Sequence, residues 1–196
     1  MKYLILEFFA LLATMVLVVA CVYIDIGILG NHISEVSVTE FSQSIVILLT
    51  VLLFLSKAKK EPESAGLFIL ISSFFAMVFI READYYLDFV YHGFWKVPVF
   101  ITFFSTLFLA YRHKNTIIAP LLNYQNSKAF TYALIGLLMT IVFSRLFGTR
   151  SLWAFIIEDA GNTKTLVQEG LELLGYSLIL MGAFIAQFTQ KQQAKD

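Results

Sequence analysis

The sequence of 196 residues is poor in cysteine, proline and charged side chains. Its single cysteine excludes a disulfide framework and a zinc site built from cysteines. Three prolines and ten glycines leave no room for a long low-complexity linker. Charged residues make up only 14% of the chain, against about 25% in an ordinary soluble domain. A soluble globule with so few charges could not cover its remaining apolar surface.

Apolar and aromatic side chains are in excess. Hydrophobic residues make up 59% of the chain, phenylalanine occurs 20 times, and the mean hydropathy is +0.78. This composition excludes intrinsic disorder, which needs low hydrophobicity and a high net charge. The 14 basic residues are balanced by 14 acidic residues, so no basic surface for nucleic acid is expected. The sequence therefore predicts an all-α integral membrane protein whose main partner is the lipid bilayer.

Six apolar stretches are long enough to cross a bilayer core of about 30 Å, which takes about 20 helical residues. They run over residues of about 3–24, 39–56, 65–91, 94–111, 129–147 and 165–188. Because these stretches fill most of the chain, we expect one transmembrane domain over 1–196, a six-transmembrane-helix bundle. The sequence shows no inverted repeat of the kind that many secondary transporters carry.

Basic residues set the expected orientation of the spans. With the N-terminus inside, nine of the 14 Lys and Arg residues lie on the inner side, so both termini are predicted to be cytoplasmic. Ten of the 14 acidic residues then lie on the outer side or in the outer half of a span. We expect a multi-pass protein of the bacterial inner (plasma) membrane, with an acidic excess at its outer face.

The third span ends in a segment with four charged residues, Arg81, Glu82, Asp84 and Asp88. On a helix, Arg81, Asp84 and Asp88 share one face because they are three and four positions apart. A charge within a span costs at least about 2.5–3.5 kcal/mol on insertion scales, so intramembrane charges usually mark a functional site. One arginine cannot satisfy three acids, so these residues are candidates for binding an ion or a ligand.

The sixth span carries a second acidic stripe, formed by Glu169, Glu172 and Tyr176. These residues fall within about 60° of each other on a helix. Thr165 and Gln168 match a capping box, which would place Glu169 where the helix dipole favours an acid. Glu172 lies about 10 Å beyond that cap, so neither capping nor the dipole explains it.

The fifth span ends near the outer face with Arg145. This arginine is expected either to extend to the interface or to pair with Glu172 or Asp84 across the bundle. We predict that Asp84, Arg145 and Glu172 converge on one outer-facing cavity.

The second span begins with polar residues at the same face. Ser37 and Glu40 match a capping box, which gives Glu40 a structural explanation. Gln43 lies one turn deeper on a related face. Glu40 and Gln43 are therefore candidates for the wall of the same cavity.

The histidines bear on the choice of cofactor, which the sequence leaves unknown. His32, His92 and His113 fall in loops or at the ends of spans, so there is no haem motif and no intramembrane zinc motif. A carboxylate site for Mg²⁺ or Ca²⁺ remains open.

Three functions are compatible with this polar cluster. The first is the binding or transport of a small polar solute, a cation or a proton. The second is a structural or accessory subunit that docks on a membrane-protein partner or forms a homo-oligomer, with close helix packing at Gly175 and Gly182. The third is an enzyme that acts on lipid head groups at the outer leaflet, with two carboxylates as acid and base.

Overall fold

The computed structural model describes residues 2–30 and 36–193, and the side chains of 4–30 and 36–188. Every regular element in these ranges is helical, which confirms the predicted all-α class. The α-helices are α1 (Lys2–Tyr23), α2 (Val38–Lys60), α3 (Ala65–Glu82), α4 (Asp84–Leu87), α5 (Lys96–Arg112), α6 (Ile118–Tyr124), α7 (Lys128–Leu138), α8 (Ser144–Phe147), α9 (Arg150–Ala154) and α10 (Ala160–Gln193).

Shorter helical turns connect several of these helices. α1 continues into a π-helical turn over Ile24–Leu29, which ends at Gly30 in the left-handed conformation (φ 61°). A second π-helical turn, Met139–Phe143, joins α7 to α8, so that Lys128–Phe147 is one continuous helix. Two 3₁₀ turns occupy Pro62–Ser64 and Lys114–Thr116.

Five of the described helices are long and apolar enough to cross a membrane. They are Leu4–Leu29, Val38–Lys60, Pro62–Glu82, Lys128–Phe147 and Ala160–Phe188. The first of them buries only 6% of its most apolar window within the protein, so its apolar side chains are suited to contact lipid. The chain is therefore an all-α, multi-pass membrane protein.

The region of the third and fourth expected spans differs from the sequence prediction. α3 ends at Glu82, so the helix expected over 65–91 is too long by nine residues. After Ala83 the short helix α4 continues to Leu87, and a turn held by Asp88 then ends the helical segment before residue 91. The Asp88 carboxylate accepts the Gly93 backbone N–H at 2.9 Å and lies 2.9 Å from Nδ1 of His92. The following helix, α5, has 17 residues and is shorter than the five helices above.

The last span begins five residues earlier than the sequence suggested. α10 starts at Ala160, and the Asp159 carboxylate accepts hydrogen bonds from the side chain (2.8 Å) and backbone N–H (3.4 Å) of Asn162. The predicted cap at Thr165 is therefore wrong, and its hydroxyl donates to the Gly161 carbonyl at 3.3 Å. Glu169 lies about 14 Å from the start of α10, beyond the reach of the dipole at the first turn.

The chain divides into two compact units. The first is formed by Met1–Gln43 and Leu134–Leu178, and the second by Ser44–Ala133 and Ile179–Asp196. Glu172, Glu169 and Arg145 therefore belong to the first unit, whereas the charged segment at the end of α3 belongs to the second.

Two glycines of α10 allow close helix packing, one in each unit. A Cβ atom on Gly175 would lie 2.8 Å from the Gly136 carbonyl oxygen and would overlap the Thr140 hydroxyl, all within the first unit. A Cβ atom on Gly182 would lie 2.7 Å from the Ala129 carbonyl oxygen, within the second unit. The predicted role of these two glycines is confirmed.

The core of the second unit is aromatic. Phe54 is fully buried and stacks on Phe68 and Phe75, with ring centroids 5.9 and 6.3 Å away. α3 also approaches α2 closely, because the Ser72 hydroxyl donates to the Val51 carbonyl at 3.0 Å. This packing holds α2 and α3 together along their length.

Candidate functional site

Glu172 is a buried acid of the first unit whose polar contacts all meet at one carboxylate oxygen. The residue is only 3% exposed, and three donors converge on its oxygen Oε1. The Gln168 amide donates at 3.1 Å, the Ser144 hydroxyl lies at 3.2 Å, and Nη2 of Arg145 lies at 3.5 Å. Within the described part of the chain, no donor reaches the other oxygen, Oε2.

The π-helical turn Met139–Phe143 directly precedes the two α8 residues that meet Glu172. The hydroxyls of Thr140 and Ser144 donate to carbonyls four residues earlier, those of Gly136 and Thr140. The single Ser144 proton is thus shared between the Thr140 carbonyl and Glu172. π-Helical turns are rare in proteins as a whole, but those that occur are often found at functional sites.

Gly148 leaves the space that the Gln168 side chain occupies. A Cβ atom on Gly148 would lie 2.9 Å from Cδ of Gln168 and would overlap its carbonyl oxygen. The amide of Gln168 is thereby held against α8 while its nitrogen donates to Glu172. Gln168 was predicted to be a helix cap, and its role in orienting Glu172 was missed.

The ion pair of Arg145 and Glu172 is asymmetric. The arginine side chain is 55% exposed, whereas the glutamate side chain is 4% exposed. The structure shows the pairing of these two residues that the sequence suggested. Their convergence with Asp84, which belongs to the second unit, stays a prediction.

Gln43 and Glu169 form a second polar contact in the first unit. Gln43 is 1% exposed, and its amide nitrogen donates to the backbone carbonyl and to Oε2 of Glu169, both at 3.0 Å. Tyr176, four residues beyond Glu172, is also buried. Half-buried and buried polar residues therefore extend along α10 from Glu169 to Tyr176.

Asp25 is a polar residue whose role the sequence analysis missed. It is fully buried, and its two carboxylate oxygens accept the backbone N–H groups of Val38 and Thr39 at 2.8 Å. The predicted cap at Ser37 is confirmed, since its hydroxyl accepts the Glu40 N–H at 3.1 Å. The start of α2 is thus capped twice, and Asp25 could have been suspected because it precedes the loop that leads to this helix.

The other predicted site residues lie in the second unit, at the end of α3. Arg81 lies beside Glu82, with Nη1 and Oε1 3.7 Å apart, and its side chain is half exposed. Asp88 is occupied by the turn that it shares with His92 and Gly93. Asp84 is half-buried and makes no hydrogen bond or ion pair to another described side chain.

Neither a search for metal-binding side chains among the described residues nor a comparison with known proteins indicates a function. Among the described residues, no group of three or more His, Cys, Asp or Glu side chains is placed to hold a metal ion. Comparison of the chain with family models, with curated proteins and with solved structures finds no match. The functional argument therefore rests on the geometry around Glu172.

Proposed function

We propose that this multi-pass membrane protein binds a proton, a small cation or a small polar solute at Glu172, as a carrier of that species. The observation that supports this is the unequal use of the two carboxylate oxygens. Oε1 accepts hydrogen bonds from Ser144 and Gln168 and lies 3.5 Å from Arg145, whereas Oε2 accepts no hydrogen bond from the described residues.

The energetics of a buried carboxylate favour a ligand at Oε2. A charged group taken out of water loses its hydration, and the loss is offset only by close, well-aligned partners. Arg145 is such a partner in part, because it lies 3.5 Å away and keeps half of its side chain exposed. A proton or a ligand N–H at Oε2 would complete the hydrogen bonding of the carboxyl group.

The size and charge of the ligand follow from the same donor set. Mg²⁺ and Ca²⁺ usually take six or more oxygen ligands, several of them from carboxylates. The described residues bring no group of three acidic, histidine or cysteine side chains together. We therefore favour a proton, a monovalent cation or an amine over a divalent metal.

Ligand screening on the purified protein tests this function. We would titrate Na⁺, K⁺, Mg²⁺, Ca²⁺ and a small organic ammonium ion against thermal unfolding, at several pH values. A ligand present at 100 times its Kd should stabilise the wild type by about 2.7 kcal/mol. The effect should vanish in Glu172→Gln and persist in Glu158→Gln, which changes an exposed acid outside the helices. Stabilisation that survives in Glu172→Gln would overturn the assignment.

A structural or accessory role is the second candidate. It is favoured by the half-exposed guanidinium of Arg145, which could pair with a membrane-protein partner or with a second copy of the chain. Cross-linking from position 145 in native membranes would test it, since a partner should appear in the wild type and disappear in Arg145→Gln. The third hypothesis, an enzyme for lipid head groups, stays a prediction that no contact among the described residues favours.

We further propose that α5 is a sixth membrane span and that both termini are cytoplasmic, in a bacterial inner membrane. The excess of Lys and Arg on the inner side supports this orientation. α5 has 17 residues, about 25 Å of helix, and this lies at the lower limit of spanning length.

A further inference from the structure

The second unit contains a cavity of about 240 Å³ that plays no part in the Glu172 site and has both apolar and polar side chains in its lining. One water molecule needs roughly 10–15 Å³ on this measure, so the cavity is large enough for a polar head group. Its polar lining includes Lys57, Glu63, Ser64, Asn123 and Tyr124.

The cavity lies where four of the apolar helices begin or end. Lys57 is near the end of α2, and Ser64 precedes α3. Ala129 is the second residue of α7, and Ala186 is near the end of the apolar part of α10. Because the ends of membrane spans lie at the depth of the lipid head groups, a ligand in this cavity would lie at that depth.

Lys57 supplies the positive charge of the cavity. It is 3% exposed, its Nζ donates to Oε1 of Glu61 at 2.6 Å, and it lies 5.1 Å from the centroid of the Phe68 ring. An ammonium group has three N–H donors, so Lys57 can hold Glu61 and still donate to a ligand. The pair of Lys57 and Glu61 is neutral as a whole.

Tyr124 supplies a polar group without a partner. Its hydroxyl oxygen is buried and makes no hydrogen bond to the described residues. Such a group normally costs stability, so its presence calls for an explanation such as a ligand. Burial raises the pKa of the Tyr124 phenol well above its usual range, so the group stays a neutral O–H donor.

Glu63 supplies a negative charge on the same cavity. The residue is exposed, and no described residue forms a hydrogen bond or ion pair with its carboxylate. The cavity thus offers the Lys57 ammonium and the Tyr124 hydroxyl as donors, together with the Glu63 carboxylate as an acceptor. A ligand with only negative charge would be repelled by Glu63, and the neutral pair of Lys57 and Glu61 would not offset that repulsion.

We propose that this cavity binds the head group of a zwitterionic phospholipid that carries a primary ammonium group. The phosphate oxygens accept hydrogen bonds from Lys57 and Tyr124, and the ammonium group donates to Glu63. This arrangement satisfies the Tyr124 hydroxyl and places each charge of the head group beside an opposite charge of the cavity.

Short-chain lipids added to the full-length protein in detergent provide the test. The probes are dihexanoyl phosphatidylethanolamine, the corresponding phosphatidylcholine and phosphatidylglycerol, and inorganic phosphate. We expect the phosphatidylethanolamine to raise the unfolding temperature and to give a one-to-one adduct in native mass spectrometry. Equal effects of phosphatidylcholine or phosphatidylglycerol would overturn the proposed head-group chemistry, and an equal effect of inorganic phosphate would overturn the lipid as the ligand.

Variants identify the contacts. Tyr124→Phe should weaken the binding of phosphatidylethanolamine about five- to tenfold, the usual effect of one net hydrogen bond. Without lipid it should be as stable as the wild type or more stable, because the change removes an unpaired hydroxyl. Tyr111→Phe, at an exposed tyrosine, is the matched control and should bind like the wild type. Glu63→Gln should remove the preference for phosphatidylethanolamine over phosphatidylglycerol.

Each variant can also contradict the proposal. If Tyr124→Phe binds the lipid as tightly as the wild type, the hydroxyl does not contact the head group. If Tyr124→Phe lowers the stability of the lipid-free protein, the hydroxyl has a partner within the protein and the cavity has no need of a ligand.

Discussion

Thr39 donates two hydrogen bonds to one carboxylate oxygen of Asp25, from its backbone N–H at 2.8 Å and from its hydroxyl at 2.6 Å. The other carboxylate oxygen accepts the N–H of Val38 at 2.8 Å. The end of the first membrane helix thus caps the start of the second, and the π-helical turn Ile24–Leu29 carries the capping residue. Because the aspartate is fully buried, these bonds are protected from water.

The cap predicts a large effect of Asp25 on stability. Asp25→Ala should lower the free energy of unfolding by about 2–3 kcal/mol, because it leaves two backbone N–H groups and one hydroxyl without their acceptor. Chemical unfolding in one detergent measures the loss. Asp159→Ala is the matched control, since this aspartate also lies at the start of a helix but is exposed, and its loss should be much smaller. Equal losses in the two variants would contradict the importance of the buried cap.

The close packing at Gly175 predicts that even one methyl group is harmful there. Gly175→Ala should cost about 1–3 kcal/mol, because its Cβ atom would overlap the Thr140 hydroxyl and approach the Gly136 carbonyl. Gly170→Ala is the control on the same helix, because its Cβ atom would meet only Val22 at 3.5 Å, an ordinary contact. This control should be neutral or stabilising, since alanine favours a helix over glycine by up to about 1 kcal/mol. Thermal unfolding of both variants measures the difference, and a harmless Gly175→Ala would contradict the packing.

The proposed sixth span predicts that the two ends of α5 lie on opposite sides of the membrane. Cys21 is the single cysteine of the sequence, so the Cys21→Ser variant has none. Single cysteines can then be placed at His92 and at Lys114, which are both exposed. A membrane-impermeant maleimide added to intact cells should label position 92 and leave position 114 unlabelled. Labelling of both positions, or of neither, would show that α5 does not cross the membrane.

The apolar helices could be predicted from composition and span length, because both follow directly from the thickness of a bilayer. The ends of the helices could not. Thr165 and Gln168 match the sequence pattern of a capping box, but Asp159 caps the helix six residues earlier. Likewise, the apolar and aromatic residues after Glu82 suggest one helix to residue 91. The helix is instead interrupted at Ala83, and Asp88 and Gly93 form a turn after α4.

The candidate site could be predicted in part. Glu172 could be identified because an acid deep in an apolar helix is unusual. Arg145 was then predicted as a possible ion-pair partner of Glu172. Ser144 and Gln168 were not recognised as contacts of Glu172, because a serine or glutamine in a helix looks the same in sequence whether it contacts a buried carboxylate or not. Asp25 was missed because its partners are 13 and 14 residues away, across a loop.

Unfolding of Glu172→Gln against the wild type, in one detergent and at one pH without added ligand, tests the proposed role of Glu172 most directly. A glutamine can place its carbonyl oxygen where the three donors meet, with its amide nitrogen at the position of Oε2. Arg145 loses a charged partner but remains half exposed. We therefore expect the variant to be as stable as the wild type or more stable, as is usual for a functional carboxylate that is held at a cost in stability. A loss of about 3–5 kcal/mol would mean that the charge of Glu172 belongs to a structural ion pair, and it would contradict the proposed ligand site.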